Sequence, residues 1–187
     1  MQRARPFPSL LVVIVILRFC ILIALLSLVG CEKTAPGFSG QGKKPVYLPL
    51  SELDDITNQA PQAIINSGPI YLIGDYFFMI EDKRGLHVFD VSDDQQEEAL
   101  TFIQVPAITD FTIDGNYLYA DSWMDIVTIE ISDISNIQFI SRQLNVIDPI
   151  LYPALYNGWF ECVDLSRGAI VGWEETELVA ALCETVN

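Results

Sequence analysis

Two stretches of this chain, about forty residues apart, follow the same plan, and a period of that length restricts the possible folds severely. Gly74-Asp75-Tyr76-Phe77-Phe78 returns as Gly115-Asn116-Tyr117-Leu118-Tyr119, 41 residues on, and Ser92-Asp93 returns as Ser132-Asp133, 40 residues on. In the second copy four short apolar runs, Phe111 to Ile113, Tyr117 to Ala120, Ile126 to Ile131 and Ile137 to Ile140, are separated by Asp114-Gly115-Asn116, by Asp121 to Asp125 and by Ser132 to Asn136. Short runs between turn-forming residues read as the strands of an antiparallel meander. Ile70 to Ile73, Tyr76 to Ile80, Leu86 to Val91 and Leu100 to Gln104 supply the first copy. The expected fold is all-β, built of antiparallel four-stranded repeats of about 40 residues in a partial, propeller-like arrangement with one short N-terminal helix.

That helix is expected around Ser51-Glu52-Leu53-Asp54, which has capping-box spacing, with Leu50, Leu53 and Ile56 on one apolar face. After Leu144 the pattern loosens. Trp159 to Val163 and Ala169 to Trp173, around Asp164 to Gly168, read as two strands of half a third unit. In the third strand of each unit, His87, Phe89 and Val91 occupy the places of Val127, Ile129 and Ile131. The second row is uniformly apolar and reads as core-facing. That places His87, the single histidine, in the core as a structural group rather than a catalytic one.

The N-terminus carries an address. Arg3 and Arg5 precede an apolar segment, Phe19 to Val29, which ends at Gly30-Cys31, the layout of a secretory signal. Residues Leu28, Val29 and Gly30 before Cys31 resemble a bacterial lipobox, so residues 1–30 are expected to be a signal peptide and Cys31 the acylated residue. An uncleaved transmembrane helix over Leu10 to Val29 would bury Arg18 at about 2.5–3.5 kcal/mol, and is the weaker reading. Several acyl chains hold a protein to a membrane where one does not. Glu32 after the cysteine points to the outer membrane by resemblance to the lipoprotein sorting rule. Residues 31–46, rich in Gly, Ser, Pro, Thr and Lys, are expected to be the lipidated cysteine and a flexible tether, and residues 47–187 the β-repeat domain. Gly37 to Gly42 lacks the flanking strand and helix of a nucleophile elbow or a phosphate loop.

The 25 acidic and 10 basic side chains give a net charge of −15; without Arg3, Arg5 and Arg18, the only charges before Cys31, it becomes −18. Such a surface repels phosphate backbones and excludes nucleic acid as a partner. Cys162 and Cys183 remain after Cys31, and in an exported chain they are expected to form a disulfide. Zinc would want about four ligands, which two cysteines and a distant His87 do not provide. No metal or other cofactor is expected.

Leu86-His87-Val88-Phe89-Asp90 and Ile126-Val127-Thr128-Ile129-Glu130, together with Pro69-Ile70-Tyr71, Asn116 to Ser122, Phe160 to Asp164, Gly168 and Gly172-Trp173-Glu174, resemble the LVIVD-repeat bacterial lipoproteins. The resemblance covers nearly all of the chain after Cys31 and matches an N-terminal portion of longer members. It implies a propeller-like fold in the cell envelope and carries no activity onto any residue. Two repeats and part of a third cannot close a ring, since propellers have about four to eight blades, so a homodimer that completes the ring is one expectation.

The chain is therefore expected to be a membrane-anchored envelope lipoprotein, held to lipid through acylated Cys31. Its β-domain is expected to be a non-catalytic interaction or scaffolding module for an envelope protein or a glycan. The alternative is a carbohydrate-active hydrolase using two of Asp110, Asp114, Asp121 and Asp125 near Trp123, since paired carboxylates about 5–10 Å apart can cleave a glycosidic bond. No segment has the spacing of a calcium loop.

Overall fold

The computed structural model describes residues 37–93 and 97–185. Leu28, Val29, Gly30 and Cys31 lie outside the described residues. The strands are β1 (Phe38–Leu48), β2 (Thr57–Gln59), β3 (Ser67–Ile73), β4 (Tyr76–Glu81), β5 (Gly85–Asp90), β6 (Glu98–Gln104), β7 (Phe111–Asp114), β8 (Tyr117–Ser122), β9 (Asp125–Glu130), β10 (Gln138–Gln143), β11 (Gly158–Phe160), β12 (Ala169–Ala181) and β13 (Cys183–Thr185). The chain is all-β. Among the described residues no helix is long and apolar enough to cross a membrane.

Three sheets result. β3 to β6 form one antiparallel meander, extended at its edge by β2 in the order β2-β6-β5-β4-β3. β7 to β10 form a second, in the order β10-β9-β8-β7. Tight turns at Gly74-Asp75 and Gly115-Asn116 make both: each glycine has φ near +60, with open space where a side chain would be. The third sheet, β12-β1-β11-β13, joins opposite ends of the described chain.

The two meanders share one apolar core, in which Phe78, Ile80, Leu86, Val88 and Ile103 of the first sheet meet Leu118, Ala120, Val127 and Ile129 of the second. Aligned by their turns, Phe77 corresponds to Leu118 and Leu86 to Ile126. The core instead holds Phe78 and Leu86 together with Leu118 and Val127. The two sheets thus present non-equivalent faces to each other. This corrects the expectation of one shared core row: Val127 and Ile129 face the core, but in β5 the inward pair is Leu86 and Val88. His87 points to the other side of its sheet and is buried there, beside Met79 and Phe102.

Three further expectations are corrected. The tether was expected to reach residue 46, but β1 begins at Phe38 and pairs with β12 from Phe38↔Ala181 to Leu48↔Ala169. Its glycines and lysines are strand residues because of their partners: Lys43 and Lys44 reach Glu175 and Glu174 at 3.4 and 2.9 Å, and a Cβ on Gly42 would stand 2.2 Å from Leu178 and 2.5 Å from the Trp159 carbonyl. Pro45 is tolerated beyond the short β11, where β1 has a bonded neighbour on one side only. The short helix is a single 3-10 turn, Leu50–Glu52. Pro49 stands at its cap position and offers no side-chain hydrogen bond, so the capping box at Ser51 does not form. Finally, β11 and β12 are not neighbours in half a repeat, because β1 lies between them.

Cys162 and Cys183 are bonded, with Cα atoms 5.2 Å apart, and tie the end of β11 to β13. Phe160 pairs with Cys183 in the same ladder.

Candidate functional site

The β4–β5 and β8–β9 turns, the β6–β7 connection, residues 147–154 and β12 converge on a cavity of about 300 Å³. Trp123, Tyr152 and Trp173 give it aromatic walls, and Lys83, Asp121 and Asp148 give it charge. Three of its residues hold left-handed backbone without being glycine: Lys83 (φ 63), Ala107 (φ 62) and Trp123 (φ 62). Each such residue costs about 1–2 kcal/mol, and strain of this kind persists only where the surroundings fix it. Here a run of backbone hydrogen bonds does so. Lys83 N–H donates to the Ile108 carbonyl at 2.9 Å, Ala107 N–H to Lys83 at 2.9 Å and Trp123 N–H to Ala107 at 3.3 Å. Trp123 also packs with Leu48 and Val171 on a small cluster of Leu53, Ala107 and Ala169, which joins the turns to the third sheet.

The carboxylates singled out in the sequence are engaged in holding this region together. Asp121 accepts from Thr109 N at 2.6 Å, from Asp110 N at 2.9 Å and from the Thr109 hydroxyl. Asp110 accepts from Phe111 N at 2.8 Å and from the Tyr71 hydroxyl at 2.9 Å. That hydrogen bond, with lesser help from burial and the Asp110 charge, raises the Tyr71 pKa above its ordinary value. Asp125 is buried, accepts from Asn145 N at 2.9 Å and pairs with Arg142 Nη1 at 3.0 Å. Arg142 also donates to Ser122 Oγ at 3.2 Å and to the Leu53 carbonyl, while its buried Nε has no hydrogen-bond partner. Asp114 ends β7 at the exposed Gly115 turn. Of the four, Asp121 alone lines the cavity, and its two oxygens already take three donors. A general acid or base needs a carboxyl that can reach substrate. What this arrangement offers is a shaped, aromatic-walled recess with Asp121 fixed in place.

A second polar group lies on the far face of the first sheet. Glu81 is fully buried, 2.6 Å from His87 Nε2 and paired with Arg84, and His87 packs edge-on against Phe102 at 4.8 Å. Burial pushes the Glu81 carboxyl up, but the hydrogen bonds from His87 and Arg84, with their charges, outweigh it and hold the pKa below its ordinary value. A carboxyl depressed in the fold contributes stability above its unfolded pKa of about 4.3, and that contribution is lost as pH falls through the lower folded value. Glu81→Gln is expected to cost about 1.5–3 kcal/mol at neutral pH and to flatten the acid side of a plot of melting temperature against pH. An acid limb as steep as that of the parent would show that another carboxylate controls it.

Cys31 and the lipobox are outside the described residues. The Cys162–Cys183 bond is in the third sheet, and among the described residues no three His, Cys, Asp or Glu side chains stand together as metal ligands. Sequence reading missed Arg142, Glu81 and Lys83. Arg142 carried a signal: it is one of few basic side chains in an acidic chain, and an arginine that a strand buries needs a partner for its charge. No protein-family model matches this chain, and no curated protein and no solved structure matches it either.

Proposed function

We propose that this chain is a lipid-anchored envelope protein whose propeller-like β-domain is a non-catalytic interaction module, presenting the recess at Trp123 to an envelope protein or a glycan. The observation that carries the reading is the state of Asp121 at the recess: its two oxygens are bound to the Thr109 and Asp110 amides and to the Thr109 hydroxyl, so this carboxylate holds the shape of the site. A volume of about 300 Å³ suits one aromatic or apolar side chain, or one sugar ring resting on an aromatic wall.

The propeller-like part of the reading is supported by how the meanders stack. Blades related by rotation about an axis meet front to back, so equivalent residues of adjacent blades face in the same rotational sense and never one another. Two sheets of a sandwich related by a two-fold axis would meet through equivalent faces. Phe78 and Leu86 share one core with Leu118 and Val127, which are non-equivalent positions of the two repeats, and this supports a rotational relation. Edge strands β3 and β10 are open in their sheets, and Ile70, Leu72, Phe139 and Ile140 are exposed along them, where a second copy could extend the arrangement. The address rests on Leu28-Val29-Gly30-Cys31 and on the apolar segment before it.

The test is a photo-crosslinking residue in place of Tyr152, in the full chain at native expression. A discrete adduct, whether a second copy, another envelope protein or a glycan, is the expected result, with loss of the adduct in Trp123→Ala. Hydrolysis of a polysaccharide that Asp121→Asn abolishes without lowering the melting temperature would overturn it in favour of an enzyme.

A further inference from the structure

The edge of the third sheet where the described chain begins is apolar and exposed, and the anchor reading supplies what it faces. Gly37 lies against Ala180, where an added Cβ would stand 2.3 Å from the Ala180 carbonyl carbon, and Phe38 pairs with Ala181. Ala180 has φ 53, and its N–H donates to Ser39 Oγ at 3.1 Å, so β12 is irregular at this point. The strand alternation fails there. Val179 is 84% exposed and Leu182 71%, among the largest values for apolar side chains in the fold. Phe38, opposite Ala181 and so next to Leu182 in register, is half-buried, and its ring stacks on the half-buried Trp159 with centroids 5.3 Å apart and planes 8° from parallel. A cluster of this composition at the end of a sheet is costly to leave in water.

The distance to lipid is set by chain length. Only residues 32–36 separate Cys31 from Gly37, and at no more than about 3.6 Å per residue the six steps between the two Cα atoms span at most about 22 Å. An acylated Cys31 thus keeps this end of the domain within about 22 Å of the point where the acyl chains enter the lipid. On the lipoprotein reading, we infer that the apolar tip of Phe38, Trp159, Val179 and Leu182 docks on the membrane that holds the acyl chains. The charged groups nearest the tip along the strands are acidic: Glu177, which accepts from Gln41, and Glu184, opposite Trp159 in register. The two basic residues of β1, Lys43 and Lys44, are committed to Glu175 and Glu174. The tip therefore suits zwitterionic lipid and is repelled by an anionic surface. An aromatic pair at the water–lipid boundary, with aliphatic side chains beyond it, is the composition of an interfacial anchor. Docking fixes the domain upright on its anchor and aims the opposite end of the β1–β12 ribbon, with Leu48 and Ala169, away from the bilayer.

The full acylated chain, carrying Trp123→Phe and Trp173→Phe so that Trp159 is the sole indole, is placed in phosphatidylcholine vesicles with brominated acyl chains. Trp159 emission should be quenched and blue-shifted, and Val179→Asp with Leu182→Asp should abolish both while leaving the melting temperature and membrane association unchanged. In the otherwise unsubstituted chain, amides 179–182 should exchange more slowly on vesicles than in detergent, which checks the result without the tryptophan changes. An unquenched Trp159, or quenching that survives the two aspartates, in a chain whose Cys31 is shown by mass to be acylated overturns the docking and leaves the anchor intact. A Cys31 found without acyl groups overturns the anchor, and the docking with it.

Discussion

Replacing Arg142 by methionine is expected to lower the stability of the fold by about 3–5 kcal/mol, the cost of leaving a buried charge without its partner, and the melting temperature by about 6–20 °C. Arg142 joins two places far apart in sequence: the β8–β9 turn, through Asp125 and Ser122, and the segment between β1 and β2, through the Leu53 carbonyl and, at 3.5 Å, Asp54. Methionine keeps much of the side chain's volume, so the loss is electrostatic and not a cavity. Asp125 then remains buried with the Asn145 N–H as its donor. Adding Asp125→Asn removes the stranded charge and should recover part of the loss. A double-mutant cycle followed by urea unfolding reads this directly, and strictly additive costs would mean that the pair is not coupled.

The second large effect is expected from the disulfide. Cys162→Ala with Cys183→Ala opens a loop of 21 residues, for which the chain-entropy model gives about 3 kcal/mol, or about 6–12 °C in melting temperature. The effect should be local before it is global. β11 is three residues long and meets β1 at a single bridge, Lys43↔Phe160, so its attachment depends on β13 and the covalent bond. Hydrogen exchange in the double variant should show β11 and β13 unprotected while β4, β5, β8 and β9 keep their protection. Uniform loss across all three sheets would indicate that the bridge supports the whole fold equally.

The two meanders were legible in the sequence because their signals are local. Alternating runs and glycine turns specify each hairpin without reference to the rest of the chain, and β3 to β10 fall where those runs lie. Of the third sheet, β11 and the first part of β12 were legible too, but β1, β13 and the order of the strands were not, because those strands are defined by each other. Phe38 to Leu48 carries Gly40, Gly42, Lys43, Lys44 and Pro45, a composition that reads as a linker until Glu174, Glu175 and Leu178 are seen across from it. The matched dipeptides Lys43-Lys44 and Glu174-Glu175 were the available clue. The face of the first sheet was misjudged for a different reason: alignment of two repeats tells which residues are equivalent, while packing depends on the operation that relates the repeats. At the site, Asp110, Asp114, Asp121 and Asp125 stand as equal candidates in the sequence, because a carboxylate that organises a turn and one that does chemistry look alike there.

The pairing of β1 with β12 has a kinetic consequence. Phe38 and Ala181 meet across almost the entire described chain, so the longest loop in the molecule closes only after β12 has been made and delivered. A chain emerging N-terminus first from a ribosome or a translocation pore can zip β3 to β10 as they appear, whereas β1 must wait unpaired until the last strands arrive. Its glycine- and lysine-rich composition suits that interval, because a strand that lacks strong β propensity of its own is slow to find a wrong partner.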